Sequence, residues 1–198
     1  MKDVLFKFLS TPQVSIILRK IVENNFKEQK KIIKKYFSVT SEDQVLDVGC
    51  GTGEFSLFFP AKNYIGIDID ASNIGYAKQH CDRQFLIADG KKLPFEDNHF
   101  SKCLVVGVFH HLSDPDAHAV LAEIKRVLTP DGVFLVMEDT QSTNVATTLL
   151  HHFDQGKFIR TREEWSGIFS QGWELKQDFT FKNGLCFYSA FLLSPKIV

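Results

Sequence analysis

The sequence predicts an α/β protein: a doubly wound, mostly parallel sheet of seven strands that ends in an antiparallel hairpin, preceded by an N-terminal helical segment. Three observations carry this. Short apolar runs of strand character alternate with helical patterns from residue 44 to residue 137. A turn with three closely spaced glycines, Gly49, Gly51 and Gly53, follows the first of those runs. Two strand-like runs near the C-terminal end are joined by Lys182-Asn183-Gly184, and Asn-Gly between such runs is a strong hairpin signal.

Residues 12–37 read as helix. Thr11 offers a capping hydroxyl and Pro12 suits a first turn. The polar stretch Glu-Asn-Asn-Phe-Lys-Glu-Gln at 23–29 interrupts the apolar stripe and marks a break between two shorter helices. QVLDV (44–48) is a buried strand, followed by the glycine turn and a brief helix ending before Pro60. NYIGIDI (63–69) is the second strand, residues 71–80 a helix, and QFLIA (84–88) the third strand. KCLVVGVF (102–109) is apolar along its length, as a strand covered on both faces is. Residues 116–128 form a helix with Val120, Leu121, Ile124, Val127 and Leu128 on one face. Thr129-Pro130-Asp131-Gly132 is a turn into the fifth strand, VFLVM (133–137). The runs 173–181 and 185–193 form the closing hairpin. Strands separated by helices imply right-handed crossovers, a Rossmann-like winding.

The composition narrows the function classes. A chain of 198 residues suits one domain with a real core. Its net charge of −1 does not single out a nucleic-acid partner, although residues 1–44 carry nine Lys/Arg against five Asp/Glu. Cys50, Cys81, Cys103 and Cys186 form no Cys-x-x-Cys pair and no zinc spacing, so no metal is expected and free thiols in a reducing cytoplasm are the simplest reading. No apolar run approaches the roughly 18 residues of a membrane span.

The sharpest motif is Val45-Leu46-Asp47-Val48-Gly49-Cys50-Gly51-Thr52-Gly53-Glu54-Phe55. Glycines there let the backbone bend tightly and meet a ligand closely. A dinucleotide site uses G-x-G-x-x-G to receive a pyrophosphate; here Glu54 stands at the third position, so the turn suits a ligand without phosphates. Asp68 ends the second strand, 17 residues past Gly51, where an acid in such folds accepts ribose hydroxyls. Asp70 competes with it, but also suits a helix cap. Asp89, after the third strand, offers an acceptor for an adenine amino group.

These features together resemble the class I S-adenosylmethionine-dependent methyltransferases, and most closely the small-molecule branch that includes ubiquinone/menaquinone C-methyltransferases. The matching stretches are VLDVGCGTGEF, YIGIDID, IADGKKLPF, VVGVFHHLSDP and EIKRVLTPDGVFLV, within residues 44–138. The resemblance implies S-adenosyl-L-methionine as cofactor and S-adenosyl-L-homocysteine as product. It implies that Gly49 and Gly51, with Cys50 and Gly53 in the same turn, lie against the methionine part, and that Asp47 orders the turn or meets the amino group. It implies that Asp68 holds the ribose, that Ile69 packs on the adenine, and that Asp89 with Gly90 reads its edge. It also implies one domain: an N-terminal helical lid (1–43), a cofactor core (44–139), and acceptor-side helices with the hairpin (140–198). The match lapses at Phe100-Ser101-Lys102, where the family usually has Asp after the aromatic; a looser strand-entry turn is the expected result.

His110 and His111 follow the fourth strand at the acceptor mouth and are candidate bases, His111 slightly preferred. Arg160 and His151 are candidate acceptor contacts, and Glu138 and Asp139 weaker ones. The expected partner is a small-molecule acceptor, and the expected state a monomer or homodimer. The basic N-terminal helix has three open readings: a lid, a peripheral membrane contact, or a dimer contact. Two other functions compete: a catalytically inactive cofactor-binding partner subunit, and a nicotinamide-dependent oxidoreductase, which the glycine spacing opposes.

Overall fold

The computed structural model describes residues 12–141 and 157–196. Seven strands form one sheet: β1 (Val45–Val48), β2 (Tyr64–Asp68), β3 (Gln84–Ile87), β4 (Phe100–Val106), β5 (Leu128–Asp139), β6 (Trp173–Asn183) and β7 (Cys186–Pro195). Their order is β3-β2-β1-β4-β5-β7-β6. Neighbours from β3 to β5 are parallel, and β7 is antiparallel to both β5 and β6. Only β7 therefore runs against the rest, and the strand order reverses between β1 and β4. In such sheets the crevice at the carboxyl ends beside the reversal is where ligands bind.

Five helices are described: α1 (Pro12–Val22), α2 (Lys27–Tyr36), α3 (Ala71–His80), α4 (Asp114–Val127) and α5 (Arg162–Phe169). Both sheet faces are covered. One core joins Leu121 and Ile124 of α4 and Trp165 and Phe169 of α5 to Val105, Phe134 and Phe191 of the sheet. The other joins Ile16 of α1, Ile33 of α2 and Ile74 of α3 to Leu104, Leu135 and Ala190. Burial on two faces explains why β1 is buried at all four positions.

Helix ends follow from their caps. Ser113 accepts from Asp116 N to start α4, with Pro115 in its first turn. Thr161 and Glu164 form a reciprocal capping box at α5.

The break expected within 23–29 is a 3₁₀ turn, Asn24–Phe26, in which φ is +45°, +56° and +56°, and three other elements differ from the sequence reading. Asn tolerates this left-handed region better than most residues, and the bend sends the Phe26 ring into the core, 1% exposed. The brief helix after the glycine turn is only a 3₁₀ turn, Ser56–Phe58, so no helix N-terminus faces the glycines. Residues 129–132, read as a turn, lie within β5, where the pairing register shifts: Phe100 pairs with Leu128, and Lys102 already with Val133. The strand-entry turn at Ser101 is not loose, because the Ser101 hydroxyl donates to Asp43 at 2.7 Å and accepts from Gln44 N at 3.1 Å.

The hairpin turn lies under the end of α1. Leu185 N donates to Val22 O at 3.0 Å, and a Cβ on Gly184 would sit 2.0 Å from that same oxygen. Asn183 continues the clasp, accepting from Glu28 N and donating to Glu23 O and Gln29 Oε1. No helix among the described residues is long and apolar enough to cross a membrane.

Candidate cofactor site and active site

The glycine turn is fastened to β2. Gly49 N and Cys50 N both donate to Ile67 O, at 2.8 and 2.9 Å. A Cβ on Gly49 would lie 2.2 Å from Val108 Cγ2, so only glycine lets the turn pass that close to the end of β4. Gly51 has φ +53° and nothing within 4 Å of a Cβ position, so its face opens onto the crevice. Cys50 is buried and burial pushes its thiol well up, which leaves it inert rather than nucleophilic.

Asp68 stands at this turn. Its Oδ2 accepts from Gly51 N at 2.9 Å and its Oδ1 from Asp70 N at 2.8 Å. Asp70 is occupied otherwise: it caps α3 by accepting from Ser72 N and Oγ, which holds its carboxyl below the usual range. Asp89 is half-buried and accepts from Lys91 N at 2.9 Å. Gly90 packs against β1, where a Cβ would lie 3.3 Å from Val48 Cγ1. Asp68 and Ile87 are paired across β2 and β3, and Ile69 and Ile87 are 71% and 59% exposed.

Asp47 lies beneath the turn, 2% exposed, and accepts from Tyr64 Oη at 2.7 Å. Burial pushes its carboxyl up to about 7; the Tyr64 bond opposes this and the Asp68 charge adds to it. Between its ordinary value of 3.8 and about 7 the native state holds a proton that the unfolded chain has lost. Stability from this group is therefore full below the lower value and falls as pH rises to the upper one, by at most about 1.4 kcal/mol per pH unit. Asp47→Asn should flatten that decline, read as urea midpoints at several pH values from acid to neutral. A variant with the parent's slope would place its origin in another group.

Glu54 is not a bare carboxylate. Lys20 and Lys30 pair with it at 2.9 and 2.7 Å. Its charge is thus neutralised, and the case for a phosphate-free ligand rests on glycine spacing and on the missing helix N-terminus instead.

On the acceptor side, Glu138 organises the loop after β4. It is fully buried, and its carboxylate accepts from Val108 N and Phe109 N at 2.9 Å and from His110 N at 3.2 Å. His110 is 3% exposed with Nδ1 2.9 Å from Glu138 Oε2, whereas His111 is exposed. A carboxylate partner makes Nδ1 the protonated nitrogen. The fold thus holds the His110 imidazole in place, and its Cε1 lies 3.5 Å from a Cβ position on Gly107.

Arg160 does not present itself to an acceptor. It is 8% exposed, donates to Phe109 O, Phe158 O and Leu112 O, pairs with Asp114, and stacks on Trp165 at 4.6 Å. Its donors are committed to the His110 loop, so it positions that loop. Arg162 pairs with Asp178. His151 lies outside the described residues. Among the described residues no cluster of His, Cys, Asp or Glu is arranged to hold a metal ion.

Sequence reasoning undervalued Glu138 and did not find Arg19, which lines the cleft from α1. The only sequence signal for Glu138 is an acid at the end of an apolar strand. Nothing in α1 marks which of its basic residues lines the cleft.

Residues 46–136 match the family model described as "Methyltransferase domain". A demethylmenaquinone methyltransferase of Lactobacillus johnsonii is 34% identical over 128 residues, covering 59% of this chain and 51% of that protein. A tRNA (carboxymethyluridine(34)-5-O)-methyltransferase of Arabidopsis thaliana is 28% identical over 149 residues, covering 72% and 35%. The chain thus spans about half, or less, of the length of these curated relatives. A solved SAM-dependent methyltransferase of Methanosarcina mazei superposes with a TM-score of 0.69 at 20% identity, covering 84% of this chain and 97% of that one; at that identity the likeness speaks for the fold. The domain match, the sheet order with its single reversed strand and the open Gly51 turn lead to one conclusion: residues 46–136 are similar to a methyltransferase domain, set in a sheet that shares the fold of a solved SAM-dependent methyltransferase.

Proposed function

We propose that the protein transfers the methyl group of S-adenosyl-L-methionine to a small-molecule acceptor. The observation that carries this is the joint placement of Asp68 and the open glycine turn, 2.9 Å apart at the sheet's reversal point. When bound, the cofactor supplies a methyl group already activated on a sulfonium, transferable in line to a nucleophilic O, N, C or S with S-adenosyl-L-homocysteine left behind. The residues present fit that group. Asp68 accepts the ribose hydroxyls, Ile69 and Ile87 flank the adenine, and Asp89 with Gly90 meets its edge. Gly49 and Gly51 receive the methionine part over Asp47. The protein's work is then to align two reactants and exclude water.

Where the acceptor must lose a proton, His110 is the base in this proposal. Glu138 fixes its tautomer and stabilises the imidazolium that forms. His110→Gln should lower turnover about 10²–10⁴-fold while cofactor affinity stays within twofold, and His111→Gln should leave most of the activity. Near-normal turnover in His110→Gln would remove the base from the mechanism.

Similarity to a demethylmenaquinone methyltransferase supports an aromatic, proton-bearing acceptor. In this proposal the enzyme is cytoplasmic and meets such an acceptor at a bilayer surface. The deciding experiment incubates purified protein with radiolabelled S-adenosyl-L-methionine and separated lipid, small-metabolite and RNA fractions. Label in the lipid or small-metabolite fraction is expected. Label confined to RNA, or none in any fraction, would overturn the reading.

A further inference from the structure

The space beside the glycine turn has two kinds of wall. The sheet side supplies Asp47, Gly49, Gly51 and Val106, and the helical side supplies Ile16, Arg19 and Phe26. One buried carboxylate and one guanidinium thus line the same cavity. The remaining acid of that lining, Glu54, is already matched by two lysines. This charge pattern suits a zwitterion: an ammonium near Asp47 and a carboxylate near Arg19.

Arg19 is held for such a role. Its Nε donates to Glu23 Oε1 at 2.9 Å, and Glu23 is only 4% exposed. The second Glu23 oxygen accepts from Tyr188 Oη at 2.6 Å and from Gln29 Nε2 at 3.1 Å. The guanidinium rests over the Phe26 ring at 5.2 Å, and its Nη2 lies 3.7 Å from a Cβ position on Gly107, at the mouth beyond β4. A bond through Nε to a fixed acid occupies the side edge of the guanidinium and leaves its outer edge, one N–H from each Nη, for another group. That is how a guanidinium is presented to a second carboxylate.

We infer that Arg19 binds the carboxylate of the cofactor's amino-acid end, with Glu23 as its positioning residue. This rests on the proposed function. The internal space there is about 30 Å³, room for about one water molecule, so α1 withdraws to admit the ligand. The left-handed Asn24–Phe26 turn, where α1 meets α2, is the place to absorb that motion.

The test compares two ligands by isothermal titration: S-adenosyl-L-homocysteine, which carries the amino-acid end, and 5′-methylthioadenosine, which lacks it. Arg19→Ala should weaken the first roughly 10–100-fold, the range of one charge-assisted pair, and leave the second within twofold. Arg19→Lys should recover part of the loss. Glu23→Gln should lower the preference for the first ligand several-fold while keeping the second. Unchanged binding of 5′-methylthioadenosine shows in each variant that the domain is folded. If the parent binds both ligands and Arg19→Ala loses neither or both alike, Arg19 has no such role and the methyltransferase reading stands. If the parent binds neither ligand, that reading falls and takes this inference with it.

Discussion

Asp68→Ala should weaken binding of S-adenosyl-L-homocysteine by roughly 2–4 kcal/mol, the sum of two hydrogen bonds to a charged acceptor less partial replacement by water. The geometry shows why the loss is large. A carboxylate has about four acceptor sites, and Asp68 uses one for Gly51 N and one for Asp70 N. Two sites are left for two ribose hydroxyls. The same side chain also holds the glycine turn through Gly51 N, so its loss should loosen the surface proposed to receive the methionine part. Asp68→Asn keeps a single acceptor oxygen and should fall between parent and Ala. Titration of the three folded proteins checks this, and equal affinity in parent and Ala variant would place the ribose elsewhere.

The second large effect belongs to stability. Glu138→Ala leaves three backbone N–H groups and an imidazole without their carboxylate, in a site closed to water. Removing one partner of a buried charged cluster costs about 3–5 kcal/mol, which lowers the melting temperature by roughly 6–20 °C at about 2–4 °C per kcal/mol. Glu138→Gln should lose less, since an amide oxygen still accepts. A melting temperature unchanged in the Ala variant would mean that the β4 loop is held by other contacts, Arg160 first among them. Disruption should also reach activity, because the His110 ring is oriented by the same carboxylate.

Parts of this molecule were legible from local chemistry. The strands β1 and β4 and residues 133–137 of β5 are apolar runs closed by turn residues, and burial on both faces leaves them little choice of conformation. The position of Asp68 followed from strand length and the distance to Gly51, a relation fixed by parallel pairing of β1 and β2. Asn183-Gly184 announced the hairpin. What stayed hidden depended on direction. Arg160 and Arg19 are both basic residues near the crevice, yet one is spent on carbonyls of the His110 loop and the other lines the cavity. Side-chain heading is settled by tertiary contacts that no local pattern encodes. The division between α1 and α2 had a visible trace in Asn24-Asn25, but the left-handed Phe26 did not: an aromatic pays for that conformation only because its ring is buried against Phe55, 5.7 Å away. The missing helix after the glycine turn likewise reflects long-range demand, since Phe55 and Phe59 are drawn into the core of the α1–α3 face.

The place of β7 has a consequence for biosynthesis. This strand is made after β6, yet it is inserted between β6 and β5. While the nascent chain emerges, β5 is therefore complete, with the donors and acceptors on the flank of its last six residues, 134–139, unsatisfied. It stays so until residues 186–195 have cleared the ribosome. An open flank of that length is a template for pairing with another chain, so stalled or truncated products ending before β7 should be the aggregating species.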